Sequence, residues 1–106
     1  MSDNVFAKII KRELPAKIIY EDDKVIAFMD AFPEQEGHFL VVPKQEAENM
    51  MKNSDDVIIY AFQKARELAK REVLDKGIPA FKLVINNGYE AGQRVFQTHI
   101  HIIPYK

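Results

Sequence analysis

The segment from Ser54 to Lys76 constrains the fold more than any other part of the chain. Its apolar residues recur at spacings of three and four, which aligns side chains on one face of an α-helix. They are Ile58, Ala61, Phe62, Ala65, Leu68, Ala69 and Val73, and Lys64, Glu67, Lys70 and Arg71 lie opposite. Ser54 can cap the helix, and Gly77 with Pro79 stops it. A long helix with one apolar face needs a second layer to cover that face.

Short segments typical of β-strands flank this helix on both sides. Three precede it, at Lys17 to Tyr20, at Val25 to Met29 and in "HFLVVPK", and two follow it, in "FKLVIN" and "QTHIHIIPY". A short helix from Val5, capped by Asp3 or Asn4 and ended by Pro15, comes first. The pattern predicts an α+β fold with a five-stranded antiparallel sheet, one long helix and a short N-terminal helix. With 106 residues, the chain is expected to form a single domain, residues 1–106.

Charge and composition argue against several classes of function. The formal net charge is -1, so no broad positive surface is expected for a nucleic-acid backbone. The chain contains no cysteine, which removes disulfides and thiolate chemistry. No segment approaches the roughly 20 apolar residues that cross a bilayer, and the first residues do not have the pattern of a secretory leader. We therefore expect a cytoplasmic protein without a nucleic-acid or membrane partner.

Two of the three histidines lie close together near the end of the sequence, in "QTHIHIIPY". Because side chains alternate along a strand, Gln97, His99 and His101 are expected to share an outward face while Ile100 and Ile102 enter the core. Alternate residues of a strand lie about 7 Å apart. Two imidazoles at that spacing can contact one tetrahedral anion, and we expect this anion to be a phosphoryl group.

The loop before these histidines carries groups suited to an anion. Gly88 and Gly92 allow backbone amides to approach closely, and Asn86 and Gln93 offer neutral donors for phosphate or ribose oxygens. Together with the histidines, these residues predict a pocket with an anion cradle, a candidate nucleophile and a second imidazole.

Two other interpretations of the histidine pair stay open. The residues can be exposed histidines of an edge strand, without a function. They can also bind zinc, but such a site needs a third ligand, and His38 is the only other histidine in a chain without cysteine. We expect no metal site and no cofactor.

The same segments resemble a known family. "GQRVFQTHIHIIP" is similar to the signature of the histidine triad (HIT) superfamily, His-x-His-x-His followed by two apolar residues. Residues 5–44 are similar to the opening half of its histidine triad nucleotide-binding (Hint) branch, and "FKLVINNGYEAGQ" resembles the strand and loop before the triad. The resemblance covers nearly the whole chain. It implies a HIT-like fold and a homodimer, with the long helix and the strand before the triad loop at the interface.

The resemblance also implies the catalytic positions. His99 takes the place of the middle histidine, which attacks the α-phosphorus and forms a covalent nucleotidyl-imidazole. His101 takes the place of the last histidine, a phosphate contact. His38 matches a histidine that supports the triad from a neighbouring strand.

The nucleotide-binding positions follow in the same way. Asp30 matches an acidic residue that binds the ribose hydroxyls, although an aspartate there can also simply stabilise a turn. The positions that resemble the base pocket are Phe6, Ile9 and Phe28. The positions that resemble contacts to phosphate or leaving group are Asn86, Gly92, Gln93 and Val95.

The sequence departs from the family pattern at the first histidine of the triad, where Gln97 stands. Glutamine can donate and accept hydrogen bonds but cannot carry a proton through a relay. In the family this position is linked by hydrogen bonds toward the equivalent of His38, so we expect nucleotide binding to be kept and turnover to be lowered. Two smaller departures are Glu46, where a histidine is common, and Arg94, which can either assist a leaving phosphate or be solvated.

The predicted function is purine nucleotide binding with hydrolysis of nucleoside phosphoramidates or related nucleotidyl esters through nucleotidyl-His99. The expected ligand is AMP or an adenosine phosphoramidate. One alternative is a nucleotide-binding module with little or no catalysis. Another is a dinucleoside polyphosphate hydrolase as in the Fhit branch, although residues 5–44 look more like Hint.

Overall fold

A computed structural model describes residues 4–106 of the chain. The two helices are α1 (Val5–Ile10) and α2 (Asp55–Glu72), and the strands are β1 (Ile18–Glu21), β2 (Val25–Met29), β3 (Phe39–Pro43), β4 (Ala80–Val84) and β5 (Ile100–Tyr105). Single 3₁₀ turns occupy Met50–Lys52, Leu74–Lys76 and Tyr89–Ala91. The side chain of Asn4 caps α1 by accepting from the amide of Ala7 at 2.8 Å. Asp3, the other predicted cap, lies outside the described residues.

The five strands form one antiparallel sheet in the order β1-β2-β3-β5-β4. Helix α2 covers one face, where Ala61, Ala65 and Ala69 let its backbone approach strands β3 and β5 closely. Ile100 and Ile102 lie on this face, as predicted. Helix α1 covers part of the other face through Phe6 and Ile9. The predicted α+β fold is therefore confirmed. Among the helices of residues 4–106, none combines the length and the apolar character of a membrane-spanning segment.

The helix ends differ from the predictions because local backbone geometry stops each helix early. Helix α1 ends at Ile10, and Arg12 then adopts a left-handed conformation (φ 65°), so Pro15 lies well beyond the end. Helix α2 ends at Glu72, and the segment up to Gly77 continues as a 3₁₀ turn. Ser54 precedes α2, but its backbone amide and hydroxyl bond to the side chain of Gln45 instead of capping the helix.

The predicted last strand is shorter than expected, and it is not at an edge. Strand β5 starts at Ile100, because the backbone of Thr98 pairs with Ala47 in the loop after β3. Gln97 and His99 therefore precede the strand. β5 lies between β3 and β4, with His101 opposite Leu40. Pro104 is tolerated there because the pairing with β3 ends at Ile102.

Candidate active site

A pocket of about 700 Å³ opens on the sheet face that carries α1. This volume lies within the usual range for small-molecule sites. Its walls come from α1, the end of β2, the β4–β5 loop and the start of β5. The predicted site residues that line it are Phe6, Ile9, Phe28, Asp30, Asn86, Gly92, Val95, His99 and His101. Three other predicted residues, His38, Gln93 and Gln97, lie behind this wall, and all three are buried.

The ring of His99 is held in one tautomer by a backbone carbonyl. Its Nδ1 lies 2.7 Å from the carbonyl oxygen of Gln97. A carbonyl oxygen can only accept, so Nδ1 carries the proton and Nε2 keeps the lone pair. The ring packs edge-on against Phe6, with centroids 4.8 Å apart, and against His101 at 4.9 Å. His99 therefore presents an immobilised, unprotonated nitrogen.

A second chain of hydrogen bonds assigns the tautomers of the other two histidines. The backbone amide of Glu34 donates to Nδ1 of His38 at 3.1 Å, so the proton of His38 lies on Nε2. That nitrogen lies 3.0 Å from Nδ1 of His101, which must accept. The proton of neutral His101 is therefore on Nε2. In the pocket, His101 can therefore donate a hydrogen bond through Nε2, whereas His99 presents the unprotonated Nε2 with its lone pair.

Burial keeps both pocket histidines neutral. It lowers the pKa of His99 below the ordinary value of 6.5, although the hydrogen bond to Gln97 and the charge of Asp30 oppose the shift. Burial, together with the nearby rings of His99 and His38, lowers the pKa of His101 to about 4. At neutral pH the pocket therefore contains two uncharged imidazoles.

The predicted outward face of the histidines is wrong for His99. Only 6% of His99 is exposed, because α1 lies over this part of the sheet and Phe6 covers the ring. An alternating strand pattern identifies two faces but does not tell whether a helix covers the second one. The interpretation as exposed histidines of an edge strand is wrong for the same reason.

Asp30, His38 and His101 have ligand atoms within 4.8 Å of one another, which is close enough to consider a metal ion. The hydrogen bonds oppose this use. If Nε2 of His38 bound a metal, its proton would have to move to Nδ1, which faces the amide proton of Glu34. The donor set therefore fits a hydrogen-bond chain better than it fits a cation.

Gln97 acts mainly through its backbone. Its carbonyl orients His99, while its side chain is 1% exposed and donates to the carbonyl of Pro43 at 3.2 Å. Its Oε1 is buried without a hydrogen-bond partner among residues 4–106. Residue 97 was predicted to lie on a hydrogen-bond link toward His38. That placement is wrong, since His38 bonds His101 directly. The lowered turnover loses this physical reason and stays a prediction to be measured.

The anion cradle predicted for the β4–β5 loop is wrong for Gly88, Gly92 and Gln93, because their donors bond to other groups of the protein. The amide of Gly92 donates to the carbonyl of Tyr89, and the amide of Gly88 donates to the side chain of Gln93. The side-chain amide of Gln93 donates to the carbonyls of Glu48 and Val95, so both of its protons are used inside the protein. Gln93 therefore shapes the loop instead of offering a phosphate donor. Gly88 and Gly92 are needed for their positive φ angles of 104° and 99°.

Asp30 stabilises a turn and also borders the pocket. Its Oδ1 accepts from the amide of Phe32 at 2.9 Å, which makes it a turn aspartate. Its Oδ2 lies 3.4 Å from Nε2 of His38, and the side chain borders the pocket. Each carboxylate oxygen has further acceptor capacity, so the turn leaves room for ribose hydroxyls.

Several pocket residues were not predicted from the sequence. Phe32, which is 89% exposed, and Glu34 follow Asp30 in the β2–β3 loop and border the pocket. Lys17, immediately before β1, also borders it. For Phe32 and Glu34, nearness to Asp30 and Phe28 in the sequence is the signal that could have identified them. The amide of Glu34 and the carbonyl of Gln97 carried no such signal, because backbone groups are the same at every position.

Comparisons with known proteins show which family this chain is similar to. The HIT domain family profile matches residues 11–106. A HIT-like protein of Mesomycoplasma hyorhinis is 53% identical over 103 residues, covering 97% of this chain and 93% of that protein. Adenylylsulfatase HINT3 of Arabidopsis thaliana is 38% identical over 105 residues, covering 99% of this chain and 53% of that protein.

Solved structures give the same result. The crystal structure of a histidine triad nucleotide-binding protein from Candida albicans superposes with a TM-score of 0.90 at 31% identity, covering 98% of this chain and 76% of that one. The sequence signature around His99 and His101, the fold, and these relatives therefore agree: the chain belongs to the HIT domain family.

Proposed function

We propose that the protein binds a purine nucleotide and hydrolyses nucleoside phosphoramidates or related nucleotidyl esters through a covalent nucleotidyl-His99 intermediate. The observation that carries this proposal is the tautomer of His99, whose Nδ1 proton is held by the Gln97 carbonyl while Nε2 keeps its lone pair in the pocket. The apolar wall formed by Phe6, Ile9 and Phe28 suits a base, and Asp30 suits the ribose hydroxyls.

The chemistry proceeds in two steps. Nε2 of His99 attacks the α-phosphorus, the bond from phosphorus to the leaving nitrogen or oxygen breaks, and the leaving group takes up a proton. The positive charge that develops on the ring strengthens its hydrogen bond to the Gln97 carbonyl. The Nε2 proton of His101 can stabilise charge on the phosphoryl oxygens. Water then attacks the phosphorus, releases the nucleoside monophosphate and frees the imidazole.

The test is incubation of the protein with adenosine 5′-phosphoramidate. We expect AMP to accumulate and, after rapid acid-free quenching in the cold, a protein species heavier by one adenylyl group on the peptide that contains His99. Binding of AMP without turnover or adduct would contradict hydrolysis and favour a nucleotide-binding module. Cleavage of a dinucleoside polyphosphate in strong preference to the phosphoramidate would favour the Fhit-like alternative.

The pH dependence of kcat/KM follows from the lowered pKa of His99. The protonated ring has no lone pair, so activity in the free enzyme is lost as the pH falls through the pKa of this residue. Because burial lowers that pKa below 6.5, the acid limb is expected to have its midpoint below 6.5, with a plateau above it. The measurement is kcat/KM from about pH 4 to about pH 8. A midpoint above 6.5 would contradict the burial of an unprotonated nucleophile.

Gln97→His tests the role of the first triad position. Since the backbone of residue 97 and the His38–His101 bond already assign the tautomers, we expect kcat to change by no more than about threefold. The measurement is steady-state kcat with adenosine 5′-phosphoramidate, with AMP affinity as the control for an intact pocket. An increase of tenfold or more would restore the prediction that glutamine lowers turnover by interrupting proton transfer.

We also propose a homodimer that uses β4 and the solvent face of α2. Strand β4 ends the sheet on one side, which leaves its outer edge open to pairing with a second copy. Leu83 on β4 and Ile59 on α2 are exposed apolar residues, and Ile59 is 65% exposed. Sedimentation velocity is expected to give twice the mass of one chain. Ile59→Glu should shift the protein toward monomer, while Leu74→Glu, at an exposed apolar residue outside both elements, should not.

A further inference from the structure

Arg94 is the positively charged residue that the β4–β5 loop contributes to the pocket. The charged residues that line the pocket are Lys17, Asp30, Glu34 and Arg94. Lys17 immediately precedes β1 and the two acids follow β2, whereas Arg94 belongs to the same loop as Gly92 and Val95. Both residues line the pocket, and Arg94 is exposed while His99 is buried. From this difference we infer that the guanidinium lies nearer the mouth and the nucleophile nearer the floor.

The guanidinium of Arg94 is held in place without being neutralised. Its Nη1 donates to the carbonyls of Tyr89 and Gln93, each at 3.0 Å, and its Cζ lies 4.4 Å from the centroid of the Tyr89 ring. Across residues 4–106, the partners of this guanidinium are these two carbonyls and this ring, and none is a carboxylate. The Nε and Nη2 protons are left for a ligand. A fixed guanidinium with free donors binds an anionic group at a small entropic cost.

The geometry of the reaction tells which part of a substrate reaches this position. In an in-line displacement the leaving group departs on the side of the phosphorus opposite the attacking nitrogen. Because His99 lies at the floor, the leaving group points to the mouth, where Arg94 lies. Resting on the function proposed above, we propose that Arg94 selects substrates whose leaving group carries a negative charge, such as a carboxylate, sulfate or phosphate.

A matched pair of substrates tests this selection: adenosine 5′-phosphoramidates whose nitrogen is that of free alanine or of alaninamide. In each, the bond from phosphorus to His99 forms, the bond from phosphorus to nitrogen breaks, the amine leaves with a proton from solvent, and water completes the release of AMP. The two compounds differ by one negative charge on the leaving group. The ratio of their kcat/KM values therefore reports the recognition of that charge, because the interactions that both substrates make contribute equally and cancel.

We expect the wild-type protein to prefer the carboxylate compound by about fivefold at low salt, as for an exposed charge pair. Arg94→Gln should bring the ratio close to one, and Arg94→Lys should keep part of the preference. The wild-type ratio should also fall toward one at about 0.5 M salt, because added ions screen an exposed pair. Arg71→Gln, the same change at an exposed arginine of α2 on a different face from Ile59, serves as the charge control and should leave the ratio unchanged.

Two results would overturn the inference. A wild-type ratio near one would mean that the charge of the leaving group is not recognised. An equal fall of kcat/KM for both compounds in Arg94→Gln, with the ratio kept, would mean that Arg94 binds the α-phosphate or supports the loop. Absence of both turnover and adduct with either compound would instead overturn the proposed function, and the inference with it.

Discussion

His99→Ala is expected to lower kcat/KM for adenosine 5′-phosphoramidate by about a thousandfold or more, since it removes the group that forms the covalent intermediate. No other imidazole can replace it. The lone pair of His101 Nδ1 is engaged by His38, and His101 offers only a proton to the pocket. The measurement is the rate of AMP release together with the mass of the quenched protein, which should show no adenylyl adduct.

Chemical rescue separates lost chemistry from a damaged pocket in His99→Ala. The ring of His99 packs between Phe6 and His101, so its removal leaves a space shaped for an imidazole. Added free imidazole is expected to restore part of the turnover by attacking the phosphorus in place of the missing side chain. A variant that keeps more than about a tenth of the wild-type rate without imidazole would show that His99 is not the nucleophile.

His101→Ala is expected to lower kcat/KM by about a hundredfold, the usual cost of losing one donor aimed at developing phosphoryl charge. The variant also leaves the Nε2 proton of His38 without its partner. His101→Gln keeps an amide donor at the same position and should recover part of the loss. The measurement is kcat and KM separately, because loss of charge stabilisation in the transition state lowers kcat more than it raises KM.

An effect confined to KM would contradict this role for His101. It would mean that the Nε2 proton contacts the ground state and the transition state equally. Gln97→Ala provides the matched comparison, since it removes a buried polar side chain of the same segment that does not line the pocket. If Gln97→Ala and His101→Ala lowered kcat to the same extent, disruption of the segment would explain both results.

The order and faces of the secondary structure could be predicted because they depend on side-chain period. The three- and four-residue spacing of Ala61, Ala65 and Leu68 identified α2, and the alternation of Ile100 and Ile102 identified the strand face that meets it. The ends of these elements could not be predicted in the same way. They were decided by backbone pairs between distant segments, such as Thr98 with Ala47.

The candidate site, like the fold, could be predicted from the sequence only in part. Several side chains that line the pocket, including Phe6, Asp30 and His99, are at positions that the family resemblance indicated, whereas Phe32 and Glu34 were not predicted. The phosphate contact predicted for Gln93 was wrong, because the sequence does not distinguish a glutamine that binds phosphate from one that holds a loop in place. The exposure predicted for His99 was wrong because the covering ring comes from α1, far away along the chain.

Residue types and their spacing specify a helix-on-sheet fold with imidazoles at positions 99 and 101, and the resemblance of the surrounding sequence indicates the HIT family. The protonation of those imidazoles depends on contacts that folding creates. The carbonyl of Gln97 makes His99 a lone-pair donor, and the amide of Glu34, acting through His38, makes His101 a proton donor. The physical reason is that every residue type offers the same backbone amide and carbonyl, so only the folded geometry can give two chemically identical rings opposite roles.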